Sequence, residues 1–329
     1  MTTPDTLVQR QISLTHAFVV NNATLYSQSW ENIKNPTPSQ VKDNILTRLN
    51  GSKVGGGYAV AWGPALVPDG EYTAHITVVL IGGRSGNDIV VVTSGTLQYS
   101  FKDQLDDLDI FPMVPLQSVI PGYQGSASIA QGTADGVNAI LTTASTIGAT
   151  GTLCDFLGRQ QSGATIRLVG HSLGGALMSV LALYLKDRFP GFNFFCETFA
   201  APTVGDGFFA SYFNKQMAGN ALRIYNTLDI VPMAWCATSL DYSLTVYEDD
   251  PIDEDTRNAV WSGIDKIVNN NLNYTQWGMG SVNMELRLCG KPQSDCANYR
   301  SQSGYQHIYE YMTLLGLQPA DIPMPPFGS

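Results

Sequence analysis

The sequence predicts an α/β fold: a mostly parallel central sheet with helices on both faces. Three observations predict it. Through the middle of the chain, short strands rich in Val, Ile and aromatics alternate with helical patterns. One of them, Thr165–Gly170, is a short apolar strand of the kind buried on both faces of a parallel sheet. Hydrophobic residues make up 44% of 329, enough for one large core in a single domain spanning 1–329.

Taken in order, Thr6–Tyr26 has apolar residues at three- and four-residue steps and reads as a helix. A turn rich in Pro, Ser and Thr follows, then a shorter helix over Gln40–Leu49, so residues 1–50 form an N-terminal helical segment. Gly55-Gly56-Gly57 opens a β-rich region with strands at Tyr58–Leu66, Ala74–Ile81 and Ile89–Thr93. Ser100–Gly125 is broken by Pro112, Pro115 and Pro121. Ser126–Leu157 reads as helical. After the strand at Thr165–Gly170 comes a strong helix, Gly174–Arg188, ended by Pro190-Gly191. Strands at Phe192–Phe199 and Leu222–Tyr225 flank a helix at Phe208–Gln216. Ala237–Gly280 is more polar and reads as an insertion, and Tyr305–Leu315 as a C-terminal helix.

Composition excludes several classes. A net charge of −10 and the lack of a basic stripe argue against nucleic acid as a partner. No apolar run has the length of a membrane span. Met1–Phe18 lacks a basic start followed by an apolar stretch, so no signal peptide is expected, and the chain reads as soluble, cytoplasmic or secreted. Five cysteines cannot all pair; Cys289 and Cys296 flank a short loop and are either bridged or free. No Cys or His pair has zinc-ligand spacing.

The decisive segment is Gly170-His171-Ser172-Leu173-Gly174. The bare Gly-x-Ser-x-Gly pattern is weak, arising by chance in roughly one such chain in five. Its setting strengthens it: a strand runs into the motif and a helix begins directly after it, as a nucleophile elbow requires. The bland alternative is a βα turn with a capping serine.

A serine hydroxyl needs a base. Of His16, His75, His171 and His307, the first two precede the serine in a helix and a strand, and His171 should point away from it. His307 remains, and the base comes last in chain order in α/β-hydrolases. The orienting acid should follow a later strand. Asp229 in Asn226-Thr227-Leu228-Asp229-Ile230-Val231-Pro232 fits; its rival Asp206 looks like a helix N-cap. The oxyanion donors expected are the N–H of Leu173 and, on the turn after Ile89–Thr93, Thr96 with its N–H and hydroxyl.

These residues resemble the class 3 lipases, the group that includes the fungal triacylglycerol lipases. Gly170–Leu177 looks like that family's elbow, and Asn226–Pro232 like its aspartate segment. Phe199–Asp206 is similar to its Pro-Arg-Val-Gly turn, with Thr203 in place of Arg. His307-Ile308-Tyr309 is similar to the stretch around its histidine. Val92–Thr96 resembles its oxyanion strand, with Ser94 where Arg is usual. The resemblance covers roughly residues 58–315. It implies an α/β-hydrolase fold and a serine hydrolase that cleaves carboxylic esters through an acyl-enzyme on Ser172, with His307, Asp229, Thr96 and Leu173 in the roles above. The substrate it implies is a triacylglycerol. Phospholipase A1-type, feruloyl-type and short-chain carboxylesterases are alternatives on the same fold, and a non-catalytic lipid-binding protein is the alternative outside enzymes. An acylglycerol or other ester is the expected ligand, a lipid–water interface the candidate partner, and neither cofactor nor metal is called for. A lid is expected at 101–125, where Ile110–Leu116 is apolar and Pro-broken. The acidic run Glu248, Asp249, Asp250, Asp253, Glu254, Asp255 lacks the spacing of a calcium loop and reads as a solvated turn and helix start.

Overall fold

The computed structural model describes residues 4–83, 88–95, 111–247 and 252–327. Helix α1 (Pro4–Asn21) is followed by α2 (Pro38–Gly51), which opens on a Thr37 capping box with Pro38 in its first turn. Three antiparallel strands come next: β1 (Tyr58–Asp69), β2 (Tyr72–Gly82) and β3 (Asp88–Thr93). Gly70, at φ +56°, makes the tight β1–β2 connection.

A small antiparallel pair, β4 (Met113–Pro115) and β5 (Ser128–Ala130), leads to α3 (Gln131–Thr142) and the short α4 (Leu153–Leu157). The continuous helix expected over Ser126–Leu157 is therefore two helices and a strand. Between them lies a Thr/Gly-rich stretch in which Gly148 and Gly151 take positive φ, and β-branched residues there support no helix. The chain then runs β6 (Thr165–His171), α5 (Leu173–Arg188), β7 (Asn193–Phe199), α6 (Gly207–Gln216) and β8 (Ala221–Asn226).

The remaining elements are α7 (Ala237–Ser243), α8 (Glu254–Asn269), β9 (Glu285–Leu288), α9 (Tyr299–His307) and α10 (Tyr309–Leu314). The helix expected at Tyr305–Leu315 is in fact two, broken at Ile308 (φ −120°, ψ −68°). The seven-stranded sheet has the order β1-β2-β3-β6-β7-β8-β9, and from β3 onward its neighbours are parallel.

Side-chain alternation along the strands feeds two cores. Val91 and Leu168 point into one, with Leu177, Val180 and Leu181 of α5. Val90, Val92 and Val169 point into the other, with Leu14 and Val19 of α1 and Met312 of α10. Helices thus cover both faces, as an α/β sheet requires. Segment 237–280 builds a third cluster in which Leu240, Val260 and Ile267 pack with Trp235 and Tyr299. Of the stretch expected as a lid, residues 101–110 lie outside those described; in the rest, Leu116, Val119 and Ile120 are core residues. Glu248, Asp249 and Asp250 also lie outside the described residues, while Asp253 caps α8 by accepting the Thr256 N–H at 2.8 Å. No disulfide joins Cys289 to Cys296.

Candidate active site

The site stands at the C-terminal ends of the parallel strands. Strand β6 ends at His171 and α5 begins at Leu173, so the single residue between them, Ser172, makes the turn. It does so at φ +56°, ψ −133°, a backbone strain costing on the order of 1–3 kcal/mol. The neighbouring glycines are required by contact. A Cβ on Gly170 would meet the carbonyl carbon of Gly174 at 2.3 Å, and one on Gly174 would meet the Thr93 carbonyl oxygen at 2.6 Å. The Ser172 N–H is tied to the Phe199 carbonyl of β7 at 2.9 Å, which closes the turn.

The structure brings the three expected side chains together. The Ser172 hydroxyl donates to His307 Nε2 at 3.0 Å. On the ring's other side, Nδ1 lies 2.9 Å from Asp229 Oδ2 and 3.1 Å from Oδ1. A carboxylate only accepts, so Nδ1 carries the hydrogen and Nε2 offers a lone pair to the serine. All three are buried, and Asp229 is fully so. Its carboxylate also accepts the Tyr311 hydroxyl at 2.8 Å and the Val231 N–H at 3.0 Å. Burial and the neighbouring Asp229 push the Tyr311 phenol well above its ordinary range, so it remains a donor.

A second layer fixes the segment carrying His307. The Asn226 side chain donates to Gln306 Oε1 at 2.7 Å and accepts from the Gly290 N–H at 2.9 Å. Gln306 in turn donates to the Lys291 carbonyl at 2.6 Å. His171 does point away from the serine, and it packs 4.6 Å from the His307 ring, with its Nε2 2.8 Å from the His307 carbonyl oxygen. Burial, then the neighbouring His307, hold His171 well below the usual histidine range, and it is neutral. Its Nδ1 faces Asn21 Nδ2 at 3.3 Å.

The rival acid, Asp206, caps α6 by accepting the Phe209 N–H at 2.8 Å. His16 is buried in its helix and His75 half-buried in its strand, and desolvation pushes them down to about 3 and about 4. Leu173 opens α5, where the first N–H groups of a helix have no intrahelical acceptor. Thr96 lies outside the described residues; the last described residue before it, Gly95, packs on the elbow, where a Cβ would meet the His171 carbonyl oxygen at 2.8 Å. Ser94, where the resembled strand has Arg, is buried and accepts the Ile76 N–H at 2.9 Å.

Sequence reasoning did not single out Tyr311, Asn226, Gln306 or Asn21. Tyr311 is four residues beyond His307, a spacing that would share a face in the continuous helix the sequence predicts; the others carry no such signal. A cavity of about 410 Å³ between the Asp229 loop and segment 272–279 has Asp229 in its wall but neither Ser172 nor His307. It is not the cleft of the hydroxyl.

The fold is that of an α/β-hydrolase: a mostly parallel sheet, with a serine at a strained turn between strand and helix and, later in the chain, a carboxylate on a turn and an imidazole at a helix end beside it. Residues 90–238 match the family "Lipase (class 3)". The secreted mono- and diacylglycerol lipase 1 of Fusarium solani is 42% identical over 65 residues, 20% of this chain. The match spans only 19% of that relative's length. The crystal structure of M37 lipase superposes with a TM-score of 0.81 over 98% of this chain and 94% of that one, at 24% identity, a likeness of fold. A Rhizomucor miehei lipase–propeptide structure covers 72% of this chain and 64% of its own, with a TM-score of 0.46 and 22% identity. Among the described residues no helix is long and apolar enough to cross a membrane.

Proposed function

We propose that this protein hydrolyses carboxylic esters by acyl transfer through Ser172, and that its substrate is an acylglycerol, foremost a triacylglycerol. The observation that carries the reading is the buried line from the Ser172 hydroxyl through His307 to Asp229. In such a line the serine loses its proton as its oxygen attacks, because the imidazole receiving it is already oriented by a carboxylate.

Ser172 Oγ attacks the ester carbonyl while His307 Nε2 takes its proton. The oxyanion sits at the N-terminus of α5, where the Leu173 N–H and the dipole favour negative charge, with Thr96 as the second donor. His307 then protonates the leaving alcohol. Water, deprotonated by the same nitrogen, attacks the acyl-enzyme, and the acid leaves as Ser172 regains its proton. Asp229 keeps Nδ1 protonated and stabilises the imidazolium in both halves. The acylglycerol assignment rests on the match to the Fusarium mono- and diacylglycerol lipase.

A fluorophosphonate probe and a panel of C2 to C18 esters, triglyceride and phospholipid test it. The expected outcome is an adduct on Ser172, turnover of long-chain glycerides, and loss of both in Ser172→Ala, with activity reduced by about 10⁶. Preference for phospholipid, feruloyl or C2–C4 esters would keep the mechanism and replace the substrate. No adduct and no turnover would leave a lipid-binding protein on a hydrolase fold.

A further inference from the structure

We propose that Asn21, the last residue of α1, is a positioning residue that couples the turn after β3 to His307 through His171. The inference deepens the acyl-transfer reading and rests on it. Asn21 lies outside the segment that matches the family, on a helix the triad itself does not use.

The contacts form one line. The buried Gly95 N–H donates to Asn21 Oδ1 at 2.9 Å. Asn21 Nδ2 faces His171 Nδ1 at 3.3 Å. His171 Nε2 lies 2.8 Å from the His307 carbonyl oxygen. The first end is the residue just before Thr96, the proposed second oxyanion donor. The other is the backbone of the proposed base.

The two ends fix every polarity in between. Gly95 offers an N–H, so the asparagine oxygen must face it and the NH₂ must face His171. His171 Nδ1 must then be an unprotonated acceptor, and the ring's one hydrogen sits on Nε2. That is the tautomer the His307 carbonyl requires, because a carbonyl only accepts. No other tautomer of His171 and no other rotamer of the Asn21 amide satisfies both backbone groups. The depressed basicity of His171 keeps it in this neutral form. Its titratable neighbours are His307 at 4.6 Å and Tyr311 at 6.1 Å between ring centroids, with Asp229 hydrogen-bonded to both; Phe18 of α1 stands edge-on at 4.9 Å. The line therefore holds Gly95, at the end of the described turn after β3, and the backbone of His307 in one register. An oxyanion donor and a base act on one tetrahedral centre, so the rate depends on that register.

Two variants test this. Asn21→Ala removes the link, and kcat is expected to fall on the order of ten- to a hundredfold, with KM within about twofold of wild type. Asn21→Asp is nearly isosteric and keeps the acceptor for Gly95, but sets a second oxygen against the His171 Nδ1 lone pair. If His171 answers by moving its hydrogen to Nδ1, Nε2 is left with a lone pair against the His307 carbonyl. Only an extra proton satisfies both ends. The ratio of Asn21→Asp to wild-type kcat should therefore rise several-fold as pH falls from about 8 to about 5.5, taken at each pH so that effects common to both enzymes cancel.

A merely structural role would lower both variants' thermal midpoints and leave that ratio flat with pH. Asn21→Ala with kcat within twofold of wild type, or a pH-independent Asn21→Asp ratio, overturns the coupling. Fluorophosphonate labelling of wild-type Ser172 separates the levels. Labelling and turnover intact in wild type, with Asn21 variants unaffected, sinks the coupling alone; a wild type that neither labels nor turns over sinks the acyl-transfer reading and the coupling with it.

Discussion

Between Thr165 and Leu173 the chain uses little more than its own backbone to present a hydroxyl, whereas around His307 the same precision takes side chains drawn from several elements. Ser172 is aimed by a strained φ, by two glycines whose missing Cβ atoms let β3, β6 and α5 touch, and by one backbone hydrogen bond to Phe199. His307 ends α9 just before the helix breaks, so its backbone gives it no comparable frame. Asp229, Tyr311, Asn226, Gln306 and His171 supply one instead. A backbone-encoded position is all-or-none and fails through the fold. A network-encoded one is graded and fails through the rate.

The largest effect that separates the two comes from the carboxylate. Asp229→Asn keeps the shape but lets an amide N–H face Nδ1, so the imidazole settles with its hydrogen on Nε2 and no lone pair for Ser172. The expected loss in kcat is about 10⁴, with stability close to that of wild type. Activity assays beside urea unfolding check it; a loss below about tenfold would mean the ring's tautomer is set elsewhere. The counterpart on the elbow is Gly170→Ala. Its methyl has backbone on the opposite side at 2.3 Å, not a flexible side chain that gives way. The cost should be about 3 kcal/mol or more, seen as lost soluble protein or a lower unfolding midpoint, with the remaining folded fraction poorly active. An active, fully stable Gly170→Ala would refute the claim that backbone contact fixes the elbow.

The same contrast explains what the sequence discloses. Gly170, Ser172 and Gly174 are legible because backbone geometry demands those residue types at that spacing, between a strand and a helix. Asp229 and His307 are legible through chain order, one following a strand and the other being the last histidine. The network is not legible. Asn21 and His171 touch across 150 positions, and Asn226 and Gln306 across 80, with no local pattern to mark either pair. Strand β9 is four half-buried or exposed residues among turns, too short for a period-two signal. Segment 237–280 reads as polar because α8 buries only one stripe, with Thr256, Val260 and Ile267 inside and Trp261 and Val268 outside.

The strand that carries the nucleophile also has a pH-sensitive roof. His16 of α1 is fully buried, edge-on to Tyr58 at 4.4 Å, with no hydrogen-bond partner for Nε2 among the described residues, and it is pushed down to about 3 first by burial and then by Arg167 of β6. Its folded value lies below the unfolded 6.5, so the unfolded chain binds the extra proton. Its contribution is whole above pH 6.5 and is lost as pH falls toward 3. The expected loss is about 2–3 kcal/mol between pH 6.5 and 4.5. Glu197 nearby acts with the opposite sign, since burial raises it, and its share is lost as pH rises. Comparing wild type with His16→Leu cancels that term, along with that of His75. Urea midpoints at the two pH values should fall further in wild type than in the variant; equal falls would mean His16 takes up its proton without unfolding.

The smallest effect tests the network itself. Tyr311 donates to Asp229 Oδ2 at 2.8 Å, and its oxygen accepts the Asn226 N–H at 2.9 Å, so one hydroxyl ties the carboxylate to the end of β8. Tyr311→Phe removes both bonds without changing the packing of the ring. Asp229 keeps the Val231 N–H and His307, so the carboxylate stays close to its place. The expected fall in kcat/KM is about tenfold, roughly 1.4 kcal/mol, far short of the loss in Asp229→Asn. A graded loss of that kind is the signature of a position shared among several side chains. A rate within twofold of wild type would mean that Val231 and His307 alone hold the carboxylate, and the base would then depend on as few contacts as the elbow does.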